Sequence, residues 1–119
     1  MEIKLFDSEL KVMDILWKEG ELTAKRLSEI LAEQVGWNKN TTYTVIKKCM
    51  AKGAIERLEP NFLCRAAITK EQVQEQETSE LINKVFDGSA HLLFASLINS
   101  QKLSKAEIEN LKRLVDKLQ

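Results

Sequence analysis

The sequence predicts a mostly α chain with one small β-hairpin, arranged as two domains over residues 1–70 and 71–119. Three observations predict it. Apolar residues recur at spacings of three and four in segments bounded by capping residues and glycines. That period fails only on either side of Pro60-Asn61, where two short segments flank a turn pair. The chain of 119 residues is 44% apolar and 30% charged with one proline and four glycines, a balance that excludes disorder and a collagen-like repeat and suits an ordinary helix-rich chain.

Leu10, Met13, Leu16 and Trp17 follow Asp7, a candidate N-cap, at helical spacing, and Gly20 closes the segment, so the first helix is expected near 8–19. Thr23 precedes a second helix, Ala24 to Gln34, with Leu27, Ile30 and Leu31 along one side. Asn38 caps a third, Lys39 to Lys52, whose Val45 and Cys49, with Ile46 and Met50, face inward, and Gly53 supplies the left-handed position beyond it. Residues 54–59 and 62–68 then read as a two-stranded hairpin. Three helices followed by a hairpin make the winged helix-turn-helix arrangement, in which the third helix enters the major groove and the hairpin, or wing, touches the flanking backbone.

From Lys70 onward the pattern is helical again. Thr69 caps a polar run ending near Gly88, Ala90 to Ile98 is strongly apolar, and Ser104 with Glu107 forms a capping box opening a last helix. In that helix Ile108, Leu111, Val115 and Leu118 recur three and four apart. About fifty residues of helix cannot enclose a core alone, so this stripe and the segment carrying Leu92, Leu93, Phe94 and Leu97 predict self-association into a homodimer.

Net charge is zero, which by itself argues against a nucleic-acid partner. The distribution argues for one. Residues 1–70 carry 12 basic and 10 acidic side chains against 6 and 8 in the remainder, and the stretch from Gln34 to Ile55 holds Lys39, Lys47, Lys48 and Lys52 without a single acid. The start of the third helix offers free amides and the positive end of its dipole to a phosphate. Asn40, Thr41, Thr42, Tyr43 and Thr44 are therefore the candidate base readers, since short hydroxyl side chains allow close approach and their methyls can meet a thymine methyl. Lys39, Lys47, Lys48, Arg57 and Arg65 are the candidate phosphate contacts.

Several pieces also carry a resemblance. Trp37-Asn38-Lys39-Asn40-Thr41-Thr42-Tyr43-Thr44-Val45 followed by Lys52-Gly53-Ala54-Ile55 resembles the signature W-x-x-x-T-x-x-T…K-G-x-I of the penicillinase-repressor family, the BlaI/MecI/CopY group. Val12-Met13-Asp14-Ile15-Leu16-Trp17, Ile82-Asn83-Lys84-Val85-Phe86-Asp87-Gly88 and Leu103-Ser104-x-x-Glu107-Ile108 resemble other family segments in the same order. The resemblance implies a homodimeric transcriptional repressor on double-stranded operator DNA, an inverted repeat of short half-sites of the TACA type, with Thr41 and Thr44 on the family's threonine pair.

It also implies differences. Ser96-Leu97 stands where β-lactam-responsive members have the Asn-Phe bond cut by a sensor protease, which counts against an inducing protease as a partner. The wing lacks the G-R-x-x-x-Y pattern, and no cysteine follows Cys64, against a Cu(I) cluster.

Other classes fit poorly. The chain has one histidine, His91, and no phosphate-binding glycine loop, H-E-x-x-H or nucleophile elbow, so no enzymatic activity, metal or cofactor is expected. Cys49 and Cys64 are too few for a disulfide framework and read as reduced thiols. No apolar run reaches ~18 residues, and the first twenty residues hold five acids, so neither a membrane nor a secretory route is expected and the cytoplasm is the expected location. The competing reading is a winged-helix protein-interaction module without DNA binding, for which zero net charge is natural.

Overall fold

The computed structural model describes residues 3–118. In chain order the elements are α1 (Asp7–Glu19), β1 (Leu22–Thr23), α2 (Ala24–Val35), α3 (Lys39–Ala51), β2 (Ile55–Leu58), β3 (Leu63–Ala66), α4 (Lys70–Val85), α5 (Ala90–Asn99) and α6 (Lys105–Lys117). The chain forms two compact units, Met1–Gln76 and Glu77–Gln119.

The first unit is built by its caps. Thr23 Oγ1 accepts from the Arg26 N–H at 3.1 Å to start α2, and Asn38 Oδ1 accepts from the Thr41 N–H at 2.8 Å to start α3. Gly36, left-handed at φ 75°, ends α2 by donating its N–H to Ala32. The N-cap of α1 is Phe6, one residue before the expected Asp7. Its N–H donates to Glu9 Oε1 at 2.7 Å, so the N3 carboxylate reaching back marks the helix start.

The expected two-stranded hairpin is one strand short. The sheet has three antiparallel strands in the order β1-β3-β2, because Leu22 and Thr23, in the link between α1 and α2, pair with Cys64 and Leu63. Two residues are too few to show an alternation in sequence. In the hairpin itself Glu56 faces Arg65, Arg57 faces Cys64 and Leu58 faces Leu63.

Met13, Leu16, Leu27, Leu31, Ile46, Cys49, Ile55 and Cys64 form the centre of one core under α1, α2, α3 and the sheet. The indole Nε1 of Trp17 donates to the Ile68 carbonyl at 3.0 Å, fixing the exit from β3 to α1. The first turns of α4 join this unit, with Val73 in the core and Gln76 Nε2 donating to the Ile3 carbonyl at 3.0 Å.

Within the second unit, Ser89 caps α5 by accepting from the Leu92 N–H. Ser104 and Glu107 form the expected reciprocal capping box of α6, at 3.1 and 3.0 Å. No described residue of this unit is fully buried. An apolar hollow of about 270 Å³ lies between α5 and α6, lined by Phe94, Ile98, Leu103, Ile108, Leu111 and Val115, with Lys112 and Asp116 at its edge. Among the described residues, no helix is long and apolar enough to cross a membrane.

Candidate nucleic-acid interface

On α3 the residues divide by helical phase. Thr42, Val45, Ile46 and Cys49 are buried, whereas Asn40, Thr41, Thr44, Lys47 and Lys48 are exposed. At 100° per residue these five lie on a single face, with the hydroxyls near the helix start and the lysines one turn further on. Two N–H groups of the first turn, those of Lys39 and Asn40, have no acceptor inside the helix, while that of Thr41 is taken by Asn38.

Two candidate base readers sit elsewhere. Thr42 is 0% exposed and its Oγ1 has no hydrogen-bond partner among the described residues, so it packs into the core and cannot reach a base. Its phase, one residue off Thr41, turns it inward. An unsatisfied buried hydroxyl costs about 1 kcal/mol or more, so Thr42→Val is expected to raise the urea midpoint while leaving DNA affinity unchanged. Tyr43 is half-buried and turned toward the wing, where its ring meets Phe62 edge-on at 5.9 Å between centroids and 89° between planes. Lys39 Nζ lies 5.5 Å from the Tyr43 centroid, which puts that lysine at the wing side of the helix.

The wing's two cations are both engaged. Arg57 Nε meets Glu59 Oε1 at 2.6 Å and its guanidinium lies over the Phe62 ring at 3.8 Å. Arg65 meets Glu56 Oε2 at 2.7 Å and reaches Glu21 at 4.0 Å. The Glu56 hydrogen bond, ahead of its charge, holds the Arg65 pKa above the ordinary arginine value. At the hairpin tip Asn61 and Phe62 have φ of 69° and 52°. For a phenylalanine this is an uncommon, strained backbone. Its carbonyl accepts from the Ala24 N–H at 3.0 Å, so the tip of the wing also caps the start of α2.

A contact that charge counting missed lies behind the helix. Lys52, the fourth lysine of the acid-free stretch, is half-buried where Lys47 and Lys48 are exposed. Its Nζ donates to Glu9 Oε1 at 2.6 Å and to the Lys4 carbonyl at 2.7 Å, and it lies 4.0 Å from the Phe6 ring centroid. The end of α3 is thereby tied to the start of α1. Glu9, at position N3 of α1, was the signal in the sequence, but its partner is 43 residues away.

Both cysteines are buried, and desolvation pushes their thiols up to about 12 for Cys49 and about 11 for Cys64. They are protonated at neutral pH and built into the core. In the second unit, Leu92, Phe94, Val115 and Leu118 are exposed and Leu93, Leu97, Ile108 and Leu111 half-exposed. Ile98 and Leu114, each 56% exposed, and Leu81 and Val85 extend the same apolar character beyond the expected set.

A capped third helix with an acid-free polar face, seated on two helices and flanked by the β2–β3 wing, defines the winged helix-turn-helix class. The fold is also found in the solution structure of the DNA-binding domain of the repressor BlaI, with a TM-score of 0.54 at 23% identity over 57% of this chain and 85% of that one. A second solution structure, of the Bacillus licheniformis BlaI monomer in complex with the blaP half-operator, gives 0.52 at 23% identity over 59% and 89%. The penicillinase-repressor family profile matches residues 5–117, and the chain belongs to that family. Among curated relatives, the methicillin resistance regulatory protein MecI of Staphylococcus aureus is 27% identical over 96% of this chain and 94% of its own length. The penicillinase repressor of Bacillus licheniformis is 21% identical over 95% and 90%.

Proposed function

We propose that the chain represses transcription as a homodimer bound to an inverted-repeat operator, with one α3 in the major groove of each half-site. The exposed face of α3 carries this reading: Asn40, Thr41 and Thr44 toward base edges, Lys47 and Lys48 toward the flanking phosphates, and Lys39 at the first turn. Membership of the penicillinase-repressor family supports the repressor role, and the BlaI half-operator complex supports operator DNA as the partner. The two-fold symmetry comes from residues 71–119, whose apolar stripe asks for a second copy. With Arg57 and Arg65 already paired, most of the electrostatic affinity falls to α3.

Selection of duplexes from a random-sequence pool by the purified chain tests this reading. An enriched inverted repeat whose affinity falls ~10³–10⁵-fold between 50 and 200 mM salt, as 6–10 phosphate contacts require, is the expected result. No enrichment, with salt-insensitive association to other proteins, belongs to an interaction module instead.

Thr41 and Thr44 divide from the lysines in the same assay. Replacing either by valine keeps shape and removes a hydroxyl, and loss of a base contact is expected to cost ~1–3 kcal/mol on the selected site and almost nothing on random DNA. Fluorescence anisotropy on both duplexes at one salt concentration reads the ratio. An unchanged ratio sends the sequence readout to Asn40 or to DNA shape.

A further inference from the structure

We infer that Glu59 limits sequence-independent DNA binding by holding Arg57, the wing cation linked to α3 by contacts through Phe62 and Tyr43, in an ion pair. The inference rests on the DNA-binding reading above. Arg57 lies opposite the buried Cys64 in the β2–β3 register, so it is on the face of the hairpin that turns to the core, whereas Arg65, one residue along, is on the other face with Glu56. Contacts run unbroken from Arg57 to the recognition helix: its guanidinium covers Phe62 at 3.8 Å, Phe62 meets Tyr43 at 5.9 Å, and Tyr43 carries Lys39 at 5.5 Å. Arg57 and the first turn of α3 therefore border one continuous surface along which a DNA backbone can run.

Glu59 occupies that cation. Its Oε1 is 2.6 Å from Arg57 Nε, and its Oε2 accepts from the Phe62 N–H at 3.4 Å, so the carboxylate is anchored to the turn and stays with the wing. Any phosphate that approached Arg57 would meet the Glu59 charge too, and the wing would add little to binding on any sequence. Random DNA, which outnumbers operators greatly in a genome, is where this matters most.

The experiment uses a random-sequence duplex, the full chain and anisotropy titrations over a range of salt. Glu59→Gln keeps the shape and an oxygen for the Phe62 N–H while releasing Arg57. It is expected to bind about five- to tenfold more tightly at 0.1 M salt, with a salt slope steeper by about 0.9 for each wing engaged, the size of one phosphate contact. The double variant Glu59→Gln/Arg57→Gln is expected to return to the wild-type value and slope. Glu56→Gln, which makes the same charge change on the other face, is expected to stay within about twofold of wild type. If Glu59→Gln leaves affinity and slope unchanged, or Glu56→Gln matches it, the inference is overturned. Absence of DNA binding by the wild-type chain even at low salt overturns the DNA-binding reading itself, a result distinct from either.

Discussion

Replacing Lys52 with methionine is expected to cost the first unit about 2–4 kcal/mol, the scale for removing one partner of a largely buried ion pair whose other member stays behind. The Glu9 side chain is 2% exposed and that of Lys52 29%, so the pair is mostly shielded from water. Burial pushes the Glu9 carboxyl up, but the Lys52 hydrogen bond, the Phe6 N–H and the charges of Lys52 and Lys48 together hold it below its ordinary value of 4.5. A depressed carboxyl stabilises the fold above that ordinary value, and the contribution fades as pH falls through the lowered folded one. In Lys52→Met the sign reverses. Burial then acts without its main opponent, the folded state takes up a proton more readily than the unfolded chain, and the deficit against wild type shrinks between pH 7 and pH 4. Urea unfolding followed by circular dichroism at the two pH values measures this. Adding Glu9→Gln, which keeps an acceptor for Phe6 while removing the buried charge, is expected to recover most of the loss. A deficit equal at both pH values and untouched by the second change would assign the loss to packing of the lysine stem.

The helices were legible because each carries its own punctuation. Thr23, Asn38 and Ser104 do as caps what their positions in the sequence say, and Gly36 and Gly53 are left-handed where the chain leaves α2 and α3. The buried face of α3 was legible for the same local reason, since Val45, Ile46 and Cys49 lie within one helical period. Thr42 was misplaced by residue type. Its phase in the sequence, about 100° from Thr41, already sets it apart from the Thr41/Thr44 pair, and the structure packs it at 0% exposure.

What the sequence could not supply is long-range pairing. Strand β1 consists of two residues and exists because β3 offers it an edge. Four lysines and no acid lie between Gln34 and Ile55, but Glu9 neutralises the last of them from the start of α1. Likewise Arg57 and Arg65 read as free cations until the hairpin register sets Glu56 across from one and the turn folds Glu59 back onto the other. Local charge therefore overstates what a wing presents when the compensating acid is on the opposite strand.

Changing Leu111 and Val115 together to aspartate is expected to convert the proposed homodimer to monomers, with the dissociation constant raised by at least about a thousandfold. The two side chains line the α5–α6 hollow, and Val115 is 53% exposed on a single copy. Complete burial of such a side chain is worth ~1.5–3 kcal/mol, and a symmetric interface counts each position twice. Only part of each side chain is left to bury, and desolvation of the introduced carboxylates supplies the rest of the ~4 kcal/mol that a thousandfold requires. Leu118, at the end of the stripe and 87% exposed, is the comparison: Leu118→Asp is expected to weaken the dimer far less. Sedimentation equilibrium gives the mass of each variant, and near-ultraviolet circular dichroism of Trp17 and Trp37, both in the first unit, reports that this unit is intact. DNA supplies the second readout. Two half-sites on one duplex make the second contact intramolecular, an advantage of ~10²–10⁴ that only a dimer collects. The monomeric variant is therefore expected to lose that advantage on an inverted repeat while binding a single half-site as wild type does when diluted to monomer. A double variant that still sediments as a dimer removes this stripe from the interface and leaves the exposed residues of α4 and α5 to hold the two copies together.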